Sequence, residues 1–305
     1  MSNKKQSDAS EARRAAERVR RISIGTRRLS SGAFQGGVQS RFRGRGMDFD
    51  EVREYTPGDD VRDIDWNATA RSGHTFVKKY REERQLTVIF VVDLSGSGAL
   101  GSGATTRREQ AVEIASVLAL AAIGSDHRIG LVTFSDRIES FVPPARGRQH
   151  ALRLVNGLID LEPAGRCTDL ALALRFVREH QKRRAVVVLL SDFLLSGSGL
   201  GRAATELKAL ALRHDVAAIR VGDALDRELP SVGLLTVEDA ETGEILEIDS
   251  GNRKQRERLS LLARQYEDSV RAFTRRASVD LLELDTLKPY LGPLSGFFRS
   301  RAGRA

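Results

Sequence analysis

Leu86-Thr-Val-Ile-Phe-Val-Val92, followed by Asp93-Leu-Ser95-Gly-Ser97, is the stretch from which the architecture can be read. Seven apolar or β-branched residues run without a charge and stop at Asp93. A run of this length without alternation predicts a strand buried on both faces, as in a parallel sheet covered by helices. Asp93, Ser95 and Ser97 then place an oxygen-bearing side chain at every second position, and Gly96 and Gly98 between them allow a tight turn. In open α/β sheets ligands gather at the carboxyl ends of strands, where the winding direction switches. A carboxylate and two hydroxyls at such a place suit a hard divalent cation such as Mg²⁺. The same residue types also make turns and cap helices, so both readings stand on this stretch alone.

Downstream, the pattern repeats. Arg107 to Ile123 has helical composition, and Ile114 to Ile123 is apolar on nearly every side, which predicts a buried helix. Arg128 to Phe134 and Arg137 to Val142 read as two strands joined at Ser135-Asp136, with Pro143 and Pro144 ending the hairpin. A short helix over 150–158 and a loop over 162–169 lead to a helix from Leu170 to His180. Ala185 to Leu190 is a second wholly apolar strand, and it ends in Ser191-Asp192, repeating the strand-then-carboxylate arrangement. A helix over 202–213, a strand over 216–221, a hairpin turning at Thr242-Gly243, a long helix over 256–276 and a strand over 281–284 complete the series. This alternation predicts an α/β fold with a doubly wound, mostly parallel sheet flanked by helices.

The chain has 305 residues, 41% hydrophobic and 30% charged, which describes a globular protein. Its single cysteine, Cys167, permits no intramolecular disulfide and fits a reducing compartment. No apolar run approaches the roughly 20 residues that span a bilayer, and the first residues lack a secretory signal, so a cytoplasmic location is expected. Residues 1–45 hold 12 Lys or Arg against 3 Asp or Glu, so the net charge of +8 resides in the arm. With no aromatic side chains interleaved among those charges, a solvated tail is favoured over a nucleic-acid or lipid contact. The expected organisation is a flexible basic arm (1–40), an acidic and aromatic segment (41–85), the main α/β domain (86–290) and a basic tail (291–305).

Residues 46–73 crowd eight acids, three arginines and three aromatics together, with a turn at Pro57-Gly58. Trp66, the only tryptophan, is expected to anchor this segment on the main domain. Its charges read first as internal Arg–carboxylate pairs and second as a partner surface.

Three loops carry candidate ligands: Asp93, Ser95 and Ser97; then Thr168 with Asp169; then Asp192. This ordered set resembles the metal-ion-dependent adhesion site of von Willebrand factor type A domains. The resemblance implies that Asp93, Ser95, Ser97, Thr168 and Asp192 hold Mg²⁺ or Mn²⁺, with one position left for an acidic residue of a partner. The segment Phe49-Asp-Glu-Val-Arg53-Glu-Tyr55-Thr-Pro57-Gly58-Asp59-Asp60-Val-Arg62-Asp-Ile64-Asp65-Trp66, with Ala70-Arg71, resembles the hallmark of the domain of unknown function 58 family. That likeness spans roughly residues 40–290. It implies a non-enzymatic, metal-dependent interaction module, an adaptor or co-chaperone for a MoxR-type AAA+ ATPase that assembles or activates an unknown client. Arg53, Tyr55, Asp59, Asp60, Arg62, Asp65, Trp66 and Arg71 would then face the partner. Two positions depart from the pattern: Gly98 stands where the family often has Met, and Cys167 where Gly usually precedes the threonine. Cys167 is expected to be a buried, small apolar residue. Asp169 is explained by helix capping.

The alternative is a Mg²⁺-dependent hydrolase of the aspartyl-phosphate type, with Asp93 as nucleophile, Asp192 on the metal and Lys182 or Arg183 nearby. Against it, the second acid usual two residues after such a nucleophile is Ser95 here. The chain contains neither a Gly-x-Ser-x-Gly elbow nor a phosphate-binding Gly-x-x-x-x-Gly-Lys loop, which argues against a hydrolase triad and against its being the ATPase itself.

Overall fold

A computed structural model describes Ile22 and residues 48–56, 59–61, 64–81, 86–123 and 127–302. The chain divides into two compact units, Phe42–Gln85 and the remainder. In the small unit β1 (Asp48–Glu54) pairs antiparallel with β2 (Phe76–Arg81), and the short helix α1 (Trp66–Ser72) lies between them in sequence.

The large unit is built on a six-stranded sheet. Its strands are β3 (Thr87–Asp93), β4 (Arg128–Phe134), β5 (Ile138–Ala145), β6 (Val186–Ser191), β7 (Asp215–Gly222) and, after a separate hairpin of β8 (Leu234–Glu238) and β9 (Ile245–Asp249), β10 (Asp280–Asp285). The order across the sheet is β10-β7-β6-β3-β4-β5, parallel throughout except for β5, which runs antiparallel along β4 at the edge. The doubly wound, mostly parallel α/β fold is therefore present.

The apolar run of β3 is explained by the two cores it feeds. Val88, Phe90 and Val92 point into one, with the helices α2 (Arg107–Ile123), α3 (Arg148–Asp160) and the last helix. Ile89 and Val91 point into the other, with α4 (Leu170–His180), α5 (Gly199–Ala211) and α6 (Arg253–Arg276). Ile114 to Ala119 on α2 are all buried, which accounts for a helix without a polar face.

Two sequence expectations need correction. Pro143 and Pro144 do not end the hairpin: β5 continues through them to Ala145, which pairs with Ile129. An edge strand need not donate from every residue, so proline is tolerated there, and Gly130 leaves room for the Pro144 ring, which lies 2.9 Å from where a Cβ would stand. Residues from 291 onward are not simply a basic tail. Leu291–Ala302 form α7, which buries Leu294 and Phe298 in the first core, while the buried Arg301 pairs with Asp215 and Asp280. Of the arm, only Ile22 is described; it is helical and 4% exposed within that same core. The other expectations for residues 1–40 lie outside the described residues.

Candidate metal centre

The chain leaves β3 toward β4 and β5 on one side, then returns across the sheet to β6, β7 and β10 on the other. The switch point thus falls between β3 and β6, and both strands end there in acid. Asp93 closes β3, while Asp192 follows the last residue of β6. Register holds the ends side by side, Val92 opposite Leu190.

Asp93 is fully committed. One oxygen accepts from the Ser95 amide at 3.0 Å and the Ser95 hydroxyl at 2.6 Å; the other accepts from the Ser191 hydroxyl at 2.6 Å. Ser95 Oγ lies 3.1 Å from Ser97 Oγ, which links the three sequence-predicted groups of this loop. Asp192 is half-committed. One oxygen accepts from the Leu194 amide at 3.0 Å, whereas Oδ2 is buried and meets no hydrogen-bond partner among the described residues. Burial and the neighbouring Asp93 carboxylate push the Asp192 carboxyl up to about 7. Burial also raises Asp93, against the pull of its donors Ser191 and Ser95.

Two apposed carboxylates out of water are unfavourable unless a proton or a cation compensates. A small cavity of about 10 Å³ has room for about one water-sized sphere; Asp93, Ser95, Ser191 and Asp192 line it on the strand side, and Gly98, Arg107, Arg108, Ala111 and Val221 complete the wall, so two guanidinium-bearing side chains also border it. Among the described residues no three His, Cys, Asp or Glu side chains are grouped to hold a metal, so hydroxyls must complete any donor set. Two carboxylates with Ser95 and Ser97 make an all-oxygen set suited to a hard cation, and the unpartnered Asp192 Oδ2 is the atom such an ion would satisfy.

The Thr168 loop is tied to this cluster through backbone, because Gly96 N donates to Arg166 O at 2.7 Å. Glu139 holds the loop from below by accepting from the amides of Ala164 and Gly165 at 3.1 and 2.9 Å. Asp169 caps α4 through the Leu172 amide at 3.0 Å. Thr168 Oγ1 donates to Glu241 on the β8–β9 turn, a carboxylate that sequence reasoning missed. Cys167 is exposed and not buried, because its loop lies at the surface; its Sγ is 3.7 Å from Glu241 O.

Other supports were also missed. Arg107 donates to Ser97 O at 2.8 Å and pairs with Asp226. Arg220, buried and ion-paired with Glu267 and Glu283, donates to Asp192 O at 3.3 Å. Ser191 adjoins Asp192 and had a local signal; the arginines reach the site only through tertiary packing. The cations suggested for aspartyl-phosphate chemistry, Lys182 and Arg183, precede β6 at its amino end, whereas Asp192 lies at its carboxyl end.

A family model described as "Protein of unknown function DUF58" matches residues 51–269. The chain belongs to the DUF58 family. Similar relatives include the uncharacterized proteins Rv1480 of Mycobacterium tuberculosis and Mb1516 of Mycobacterium bovis, each 32% identical over 94% of this chain and 89% of the relative. Among solved structures, the DUF58 chain is similar to BatB of Bacteroides thetaiotaomicron, with a TM-score of 0.47 at 16% identity, covering 72% of this chain and 100% of that one. It is also similar to the SpRpn10 VWA domain, with a TM-score of 0.41 at 12% identity over 73% of this chain and 96% of that one. A third is the mussel byssus proximal thread matrix protein 1 with a zinc-occupied MIDAS motif, with a TM-score of 0.42 at 16% identity over 72% and 48%.

In this DUF58 chain much of the acidic segment is bound up within the small unit. Arg53 and Asp59 form a two-pronged pair at 2.6 and 2.8 Å. That guanidinium, with the amide and hydroxyl of Thr56, holds the Asp59 carboxyl down at about 2. Asp65 Oδ1 accepts from the Ala68 amide at 3.2 Å and so caps α1. Tyr55 is half-buried, its amide bonded to Thr75 O at 2.8 Å. Asp60 and Arg71 are exposed, and Trp66, expected as an anchor, is 68% exposed. Arg62 and the Pro57-Gly58 turn lie outside the described residues. Among the described residues no helix is long and apolar enough to cross a membrane.

Proposed function

We propose that this DUF58 chain is a cation-dependent protein-interaction module working in the cytoplasm, with Mg²⁺ or Mn²⁺ held by Asp93, Ser95, Ser97, Asp192 and Thr168. The observation that carries the reading is the buried Asp192 Oδ2, unpartnered among the described residues and set beside Asp93 at a cavity of single-ion size. A bound cation would supply a positive, ligand-exchanging centre. The chain's own groups do the rest: Ser191 and the Ser95 amide orient Asp93, Arg220 steadies the Asp192 backbone and Arg107 steadies the Ser97 backbone. The partner we propose is a MoxR-type AAA+ ATPase, with this chain as its adaptor toward a client; the exposed Trp66, Asp60 and Arg71 give the small unit a second face for contact.

Calorimetric titration of Mg²⁺ and Mn²⁺ into the wild type and into Ser95→Ala/Ser97→Ala tests the site. Saturable binding that the double variant loses is the expected result, and heats that are identical in the two proteins would remove the basis of the proposal. Asp93→Ala should keep the fold yet fail to capture the ATPase in a pull-down with Mg²⁺; capture at wild-type level would separate partner binding from the cation.

A further inference from the structure

Strands β6, β7 and β10 lie next to one another and run parallel, so the loops that feed them meet at one end of the sheet, opposite the end that carries Asp93 and Asp192. Neighbouring strands are about 5 Å apart, and the Asp215 amide donates to Ala185 O at 2.9 Å, which holds two of these loops together. Each loop brings cations: Lys182, Arg183 and Arg184 before β6, Arg213 before β7, and Arg275 with Arg276 at the end of α6 before β10. All six are exposed. The acids at the strand starts, Asp215 and Asp280, are both taken by Arg301. No ion pair joins Lys182, Arg183, Arg213, Arg275 or Arg276 to a carboxylate among the described residues.

Cations in the last turn of a helix complement its dipole, which accounts for Arg275 and Arg276 alone. The other four stand beyond the ends of α4 and α5. Nor are they a share of general basicity, since residues 46–305 hold 37 Lys or Arg against 38 Asp or Glu. In the middle loop, among these charges, stands Leu212, which is 77% exposed, more than any other large apolar side chain among the described residues. A leucine held in water within a row of arginines gains nothing from a phosphate duplex. At a bilayer it enters the acyl boundary while the cations meet anionic headgroups. We propose that this end of the sheet rests on an anionic lipid surface, with Leu212 dipping between the headgroups and the six cations matching their phosphates. The carboxyl ends of β3 and β6 then face away from the bilayer, about 20 Å off, open to a partner in solution. The lipid contact does not depend on a cation at Asp93 and Asp192.

The test is co-sedimentation of the full chain with vesicles of phosphatidylcholine alone and of phosphatidylcholine with about one-third phosphatidylglycerol, at low and high salt. Binding should require phosphatidylglycerol and weaken as salt is added. Arg183→Glu/Arg213→Glu, both at exposed loop positions, should melt as the wild type does and bind at least roughly tenfold more weakly. Both proteins keep the basic arm, so equal binding would assign the contact to the arm and overturn the proposal. In a Trp66→Phe background Leu212→Trp carries the only indole. Its emission should shift to the blue on phosphatidylglycerol vesicles, and an unshifted emission from vesicle-bound protein overturns the insertion of Leu212. A chain that ignores both kinds of vesicle overturns the lipid surface; retention of duplex DNA by such a chain, lost in Arg183→Glu/Arg213→Glu, would assign the face to nucleic acid instead.

Discussion

Asp192 Oδ1 has a donor in the Leu194 amide, while Oδ2 has none among the described residues. Its carboxyl titrates near 7 in the folded chain against 3.8 for the free group, so between those values the native state holds a proton that the unfolded state has released. Stability of the cation-free protein therefore falls as pH rises through that window, and above it the full repulsion from Asp93 remains. At pH 8 in chelator, Asp192→Asn should melt higher by about 1 kcal/mol or more, roughly 2–4 °C. On the proposed cation reading Mg²⁺ should raise the wild-type melting temperature, and Asp192→Asn should lose that shift; scanning calorimetry with and without Mg²⁺ reads both. His214 acts with the opposite sign. It is 2% exposed, neither ring nitrogen has a partner among the described residues, and burial with Arg213 and Arg184 nearby lowers its pKa below 6.5. The unfolded chain takes up a proton below 6.5 before the native one does, so stability drops as pH falls there, by at most about 1.4 kcal/mol per pH unit. His214→Leu should flatten that acid limb in urea titrations at pH 5 and 7. Asp93, Ser95, Ser97 and Asp192 were legible because short loops present them next to apolar strands. Glu241, Arg107 and Arg220 were not, because nothing in their local sequence distinguishes them from ordinary surface charges.

Among the elements, the helices over Arg107–Ile123 and Leu170–His180 follow directly from apolar patterning, and Asp169 caps the second as its chemistry requires. The edge strand β5 was misjudged because a proline pair breaks a central strand and not an outer one. The hairpin was legible as a hairpin, with its turn at Thr242-Gly243, but sequence could not show what it touches. Its contact with the Asp93 loop depends on the missing side chain of Gly96. In Gly96→Ala the new methyl would meet backbone atoms, which cannot rotate aside. The loop or the turn must then shift, at a cost of about 1–3 kcal/mol, and amides 241–243 should exchange with deuterium faster. Wild-type melting and exchange in that variant would contradict the close approach.

For the whole molecule, the doubly wound fold was readable from strand–helix alternation, whereas the role of the C-terminal residues was hidden by their charge. Leu291, Leu294 and Phe298 have helical spacing, but Arg299 and Arg301 made the segment look like a solvated tail. Deleting residues 291–305 strips Leu294 and Phe298 from the core and leaves Asp215 without its buried Arg301 partner. Loss of at least about 3 kcal/mol is expected, seen as a lower urea midpoint or failure to fold. A last consequence concerns time. Ser191 and Asp93 share a hydrogen bond across 98 positions of chain, so the carboxylate pair exists only after the two central strands have found each other. Such distant parallel pairing forms slowly. An ion that recognises only the finished pair cannot hasten its assembly and delays only its disruption. If the proposed site takes up Mg²⁺, the ion should leave the stopped-flow refolding rate unchanged and slow unfolding, which would lengthen the lifetime of each folded chain.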